Sequence, residues 1–452
     1  MVGRRAAALA ALLVCSALAP PPKEHASSGA DRTALGVTIY NQDVAVVRDR
    51  RVVTIPSGTS LLALEDVANA MLPETVALRD ARGDAAFDVV EQNFEAAVLT
   101  PAALLQANVG HEVTTERRGD GPVRREHAIL LAANGGAVLR YRDRIETADS
   151  DQIVFAPAAR GLRPHATLVA TLNAPRTSRR EVEMTYLTHG LSWRAVYVGM
   201  LAPAADRLEL HGDAVIDNRS GASYERAKVQ LVAGDINVAR NPRAPGPPLT
   251  VIASVRARPL FQEDLFSYHL YTMPRAVTIA DAQTKRFALL DARSIPLATT
   301  LEVRGGSEVG VYVSFQNRGG ELGIPLPAGQ MRIYQRDAGG TAQYVGQSTL
   351  EHTPRNATVR FRLGRAADLS VRRIAVADRA VPGGREREVR ITLINGRDSA
   401  RSVRVVEPLF GDWDIVSSTQ PYLKTSATTA TWDLRVPPDG SIDLVYRVRF
   451  RA

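Results

Sequence analysis

The sequence predicts an all-β protein of several mostly antiparallel modules. These are β-sandwiches, the last of them immunoglobulin-like, with a small SH3-like β unit near the N-terminus. Three observations carry this reading. Apolar and polar residues alternate at period two through most of the chain, as in Trp193-Arg-Ala-Val-Tyr-Val-Gly-Met200, the pattern of a strand with one buried face. Turn residues punctuate the runs, for example Asn134-Gly-Gly136, Gly319-Gly320 and Pro437-Pro-Asp-Gly440. No helical-period segment longer than two turns follows the first thirty residues.

Composition narrows the class. Of 452 residues, 45% are hydrophobic and 23% charged, a globular balance that excludes a mainly disordered or fibrous chain. At about 150 residues per domain, roughly three domains are expected. The single cysteine, Cys15, excludes a disulfide framework and any cysteine-based zinc site. The net charge is +8, and only four of the 56 basic residues are lysines. The arginines are dispersed, with no run longer than a pair. A nucleic-acid binder gathers its cations on one stripe, so the arginines read as a solvated surface and no nucleic-acid partner is expected.

Residues 1–30 read as a signal peptide and tether. Arg4 and Arg5 precede an apolar stretch over 6–19, of signal-peptide length and short for a membrane span. Cleavage after Ala19 would leave Pro20 first, which signal peptidase disfavours. Cleavage after Ser28-Gly-Ala30 satisfies the small-x-small rule but lies far from the apolar stretch. A lipid anchor at Cys15 is a third route, against which stands the large Val14 before it. No later segment reaches the ~20 apolar residues of a membrane helix. The mature chain is therefore expected to be exported, either free or held by one lipid anchor, to the side of the membrane where no ATP or nicotinamide is supplied.

An N-terminal small β domain is expected over 31–98, with strands near 44–55, 61–64, 75–78 and 87–90. A barrel-like unit follows over 99–165. It opens on Thr100-Pro101, a helix N-cap followed by proline at the first helical position, and Gly110 ends that helix. A central sandwich spans 166–380. Its Pro-rich loop at 236–262 contains Asn241-Pro-Arg-Ala-Pro-Gly-Pro-Pro248, whose four prolines lack the amide donors of a central strand. The C-terminal sandwich covers 381–452, with five strands spaced by about 8–14 residues.

Several phrases resemble the mucoidy-inhibitor-like family of bacterial envelope proteins. They are Tyr186-Leu-Thr-His-Gly-Leu-Ser-Trp193-Arg-Ala-Val-Tyr197, Asp217-Asn-Arg-Ser-Gly221-Ala-Ser-Tyr224, Leu231-Val-Ala-Gly-Asp235 and Gly323-Ile-Pro-Leu-Pro-Ala-Gly329. Met331-Arg-Ile-Tyr334, His352-Thr-Pro354, Asp412-Trp413 and Tyr446-Arg-Val-Arg449 also fit, as does Tyr40-Asn-Gln-Asp-Val-Ala-Val-Val-Arg48 at the start. The resemblance implies domains of unknown function in a β-rich envelope protein and supplies no catalytic residue. It departs from the family in one respect: several members carry a long coiled coil between their halves, and 95–165 has no sustained heptads.

Motifs for chemistry fail one by one. His111-Glu112 has Thr115 where a metalloprotease needs histidine, no Gly-Lys pair offers a phosphate loop, and Gly190-Leu-Ser192-Trp-Arg194 lacks the closing glycine of a nucleophile elbow. His189, His211 and His269 could meet only through strand pairing, and Asp149-Ser-Asp151 reads as a polar turn before it reads as a calcium ligand. Glu181, Glu183, Asp217 and Asp235 are the acids a glycoside hydrolase would draw on. Tyr186, Trp193, Tyr197, Tyr224, Tyr268 and Tyr271 form either an aromatic glycan platform or, as favoured here, packing between sheets with their polar tips bonded to backbone. The sequence assigns no catalytic, cofactor-binding or metal residue and names no oligomeric state. It favours a non-enzymatic binding or scaffolding protein whose partner is an envelope protein or glycan. The alternative is a glycan-binding or glycan-hydrolysing protein using those aromatics and acids.

Overall fold

The computed structural model describes residues 23–83, 86–96, 99–117, 123–134, 136–149, 152–155, 162–234, 261–265 and 268–451. The apolar leader with Cys15, Asp235, nearly all of the Pro-rich loop and the end of the Asp149 turn lie outside these residues, as does the Tyr268 side chain. The described residues form 32 strands, one seven-residue α-helix and two short 3-10 turns. The all-β expectation is met. No helix among the described residues is long and apolar enough to cross a membrane.

The chain divides into two compact units. The first takes the described residues of Met1–Leu35, Val46–Thr188 and Ser220–Ser223. One of its sheets runs Glu24–Ser27, Gly58–Leu64, Thr167–Ala174 and Asp88–Glu95 in spatial order. Glu24–Ser27 lies within the stretch read as tether, and it pairs in parallel with Leu61 to Leu64. Strand Ala45–Ile55, all but its first residue in this unit, neighbours Ser178–Thr188, which pairs with Ala77–Asp80.

A separate five-stranded antiparallel sheet sits at 112–154, in the order Ile145–Ala148, Ala137–Arg140, Arg124–Ala132, Glu112–Arg117, Ile153–Val154. The helix Pro101–Ala107 packs Leu105 into its core beside Val113, Leu130, Leu139 and Tyr141. That helix begins as expected, with Thr100 Oγ accepting the Ala103 amide.

The second unit takes Gly36–Ala45, His189–Arg219 and the described part of Tyr224–Ala452. Its first sheet orders Thr284–Pro296, Arg207–Asn218, Leu191–Leu201, Gly329–Arg336 and Ala342–Leu350. Leu191–Leu201 is buried at every second residue, as its alternation requires. Tyr197 stands directly across from Gly212. A Cβ there would meet the tyrosine ring at 2.9 Å, so glycine makes room for the ring.

The C-terminal sandwich closes a six-stranded sheet, from Thr358–Arg365 at one edge to Leu423–Ser426 at the other, over a four-stranded one. Its core joins Trp413, Trp432, Tyr446, Ile391, Leu393 and Val405. It also takes in Leu301, Val303 and Val309, which precede residue 381. This sheet is mixed, because Leu301 to Arg304 pair in parallel with Val403 to Val406.

Candidate functional site

The aromatic set faces inward. Tyr186, Trp193, Tyr197, Tyr224 and Tyr271 are each at most 2% exposed. Three of them donate from their polar tips to backbone: Trp193 Nε1 to Val232 O at 2.9 Å, Tyr197 Oη to Pro327 O at 2.8 Å and Tyr271 Oη to Pro325 O at 3.0 Å. Tyr186 Oη accepts the Ala68 amide at 3.4 Å. Trp193 and Tyr271 meet edge to face, with centroids 6.1 Å apart. Burial pushes the Tyr197 hydroxyl well above the ordinary phenol range. None of these five rings is available as a stacking platform.

The acids are engaged as well. In the first unit, Glu183 is 1% exposed and takes Arg79 and Arg50, the latter at 2.6 Å. Burial raises its pKa, but hydrogen bonds and charge from the two arginines outweigh that and hold it below the ordinary value. Glu181 accepts from Thr33 Oγ1 at 2.5 Å. In the second unit, Asp217 takes Thr284 Oγ1 at 2.5 Å and an ion pair from Arg194. Burial raises its pKa, and those two hydrogen bonds with the charges of Arg194 and Arg219 turn the net shift downward. A carboxyl held ionised this way is a poor general acid.

The histidines make local contacts. His189 Nδ1 lies 2.8 Å from Asp43 O, and His211 Nε2 lies 3.1 Å from the buried carboxylate of Asp213, which Arg286 also contacts. His352 Nδ1 accepts the Ala328 amide at 3.2 Å. Among the described residues no three His, Cys, Asp or Glu side chains converge as a metal would require.

An open cleft of about 380 Å³ lies in the second unit, between residues 292–296 and 316–322. Its floor is apolar, from Ala292 and Ile295, and its rim carries Arg293, Arg318 and Glu321. The first wall is the end of strand Thr284–Pro296, where Ser294 adopts φ 56 and accepts Arg207 Nη1 on both its carbonyl and its hydroxyl at 3.2 Å. The second wall is a loop with Gly319 and Gly320 at φ 73 and 58, a conformation glycine adopts at no steric cost.

Asn317 fixes that loop from below. It is fully buried, its amide donates to Ile324 O at 2.7 Å and Pro354 O at 3.1 Å, and its Oδ1 accepts the Gly323 amide. Glu321 accepts the Arg293 amide at 2.8 Å, tying the walls together. The exposed guanidinium groups of Arg293 and Arg318 give the rim two cationic hydrogen-bond donors of the kind that pair with carboxylates and phosphates. The sequence marked Gly319-Gly320 as a turn, but nothing in its spacing linked that turn to Arg293.

Comparison with curated proteins gives no match. A family model matches residues 182–452, more than half of the chain, and its description is a domain of unknown function. On that match the chain belongs to the family of the domain of unknown function DUF4139.

Proposed function

We propose that this chain is an exported protein of the bacterial cell envelope that acts by non-covalent binding or scaffolding, with an envelope protein or glycan as its partner. The observation that carries the non-enzymatic part is the engagement of Glu181, Glu183 and Asp217 by arginines and threonines while the aromatics lie in the core. Carboxylates so engaged hold strands in register, and Glu183 and Asp217, kept ionised, have no proton to give a substrate. The export part rests on Arg4-Arg5 before the apolar stretch at 6–19 and on the resemblance to the mucoidy-inhibitor-like envelope family. The cleft rimmed by Arg293 and Arg318 is the contact surface this reading favours, through an anionic group of the partner.

The test has two arms. Crosslinking in intact bacteria should capture the same species from the envelope fraction in repeated experiments, and the yield should fall several-fold in Arg293→Ala/Arg318→Ala. Purified protein should release no sugar or peptide from envelope polymers. Release that disappears in Asp217→Asn would overturn the non-enzymatic reading.

A further inference from the structure

We infer that the leader is removed, or anchored, upstream of Glu24, so that Glu24–Ser27 stays in the mature protein as an edge strand of its first sheet. This rests on the export reading for the existence of a leader and adds where processing must fall. The sequence left three routes open, and cleavage after Ala30 fitted the small-x-small rule. The structure bears on that choice through what residues 23–31 hold in place.

The strand runs parallel to Leu61 to Leu64. The Leu61 amide donates to Lys23 O at 3.3 Å and the Glu65 amide to Ser27 O at 2.9 Å. Beneath it lies Arg51, 1% exposed. Its Nη1 donates to Ser27 O at 2.6 Å, its Nη2 to Glu65 O at 2.7 Å, and the same guanidinium bonds the buried Asp49. Arg163 clamps the outer end, with Nη1 and Nη2 on the two Glu24 oxygens at 2.8 and 2.9 Å. The exit is equally built. Ser28 and Asp31 form a reciprocal capping box, and the Gly29 amide donates to Asp66 Oδ2 at 2.8 Å.

Cleavage after Ala30 would delete all of this at once. It would strip an acceptor from a guanidinium that water does not reach, and a buried donor without its partner is costly. It would also uncover the backbone edge of Gly58–Leu64. Cleavage after Ala19, or acylation at Cys15, preserves every contact named here.

Two measurements test this. Intact mass of the protein recovered from the envelope should place its first residue at or before Lys23, whether as a free amine or as an acylated Cys15. A first residue at Asp31 would overturn the inference. Separately, leaderless chains beginning at Lys23 and at Asp31 are made in the cytoplasm. The shorter chain should melt at least about 5 °C lower, and equal melting temperatures would overturn the inference. If the shorter chain does not fold, hydrogen exchange on the longer one decides. The Leu61 and Glu65 amides should be protected like their neighbours in the sheet, and rapid exchange at both would overturn the proposal. An uncut leader in the cytosol would sink the export reading alone, because the melting and exchange measurements use chains without it.

Discussion

Glu407 is 1% exposed, and its charge is met within the C-terminal sandwich by two groups from the facing sheet. Arg373 reaches both its oxygens, at 2.6 and 2.7 Å, and Tyr446 Oη donates to Oε2 at 2.6 Å. The hydrogen bond to Glu407 raises the Arg373 pKa further. Burial first, and then the Glu407 charge, push the Tyr446 hydroxyl up, so it stays a donor at any working pH. Removing the Glu407 charge takes both partner oxygens from a guanidinium that is only 29% exposed, and charged hydrogen bonds of this kind are worth about 1.5–3 kcal/mol. Losing a single neutral donor costs about 1 kcal/mol. Glu407→Gln should therefore lower the urea midpoint clearly more than Tyr446→Phe. Equal losses would show that the ion pair is not what the sandwich leans on. None of this was visible in sequence, because it needs the register of three strands separated by 34 and 39 residues.

At the scale of elements, alternation located strands well where one face is buried. The expected strands near 44–55 and 61–64 are Ala45–Ile55 and Gly58–Leu64, and all five of the C-terminal strands appear. Leu369–Val381 is not legible in the sequence because most of its residues are exposed on both faces, which erases the period-two signal. Pairing was less legible than position, since parallel neighbours come from distant segments. Gly329 illustrates this: it opens the strand that runs beside Leu191–Leu201 in parallel. A Cβ at Gly329 would stand 2.3 Å from Ala195 O, so the two backbones approach only because a side chain is missing. Gly329→Ala should destabilise by about 1–3 kcal/mol through the forced shift. Gly364 lies in a strand with nothing within 4 Å of an added Cβ, and Gly364→Ala should be neutral or stabilising by about 0.5 kcal/mol. Paired denaturation curves read the contrast, and a neutral Gly329→Ala would mean that the two backbones do not approach so closely at Ala195.

Over the whole molecule, composition foretold a dispersed arginine surface but not its use, which is to hold carboxylates ionised on strand faces. Glu386, opposite Arg449, also takes Arg379, and Glu388 faces Arg447 across the same pair of strands. Hydrogen bonds from Arg449 and Arg379 hold Glu386 below its ordinary value. Arg385 does the same for Asp378, Arg362 for Glu308 and Arg163 for Glu24. Glu183 and Asp217 are lowered too, against the opposing effect of burial. The sign follows from linkage. A carboxyl with a lower pKa folded than unfolded binds fewer protons in the native state, so its stabilisation is complete above the unfolded value and is lost as pH falls through the folded one. With ordinary values of 4.5 for Glu and 3.8 for Asp, the melting temperature should stay flat from neutrality to about pH 5 and fall steeply below about pH 4. The exposed pairs are also screened by salt, whereas the buried Glu183 is screened much less. At pH 7, 1 M NaCl should therefore lower stability only slightly. In Glu183→Gln the acid-side drop should be visibly shallower, because its share of the proton linkage is gone. An unchanged acid limb in that variant would mean that the Arg50 and Arg79 contacts do not set the acid stability of the first unit.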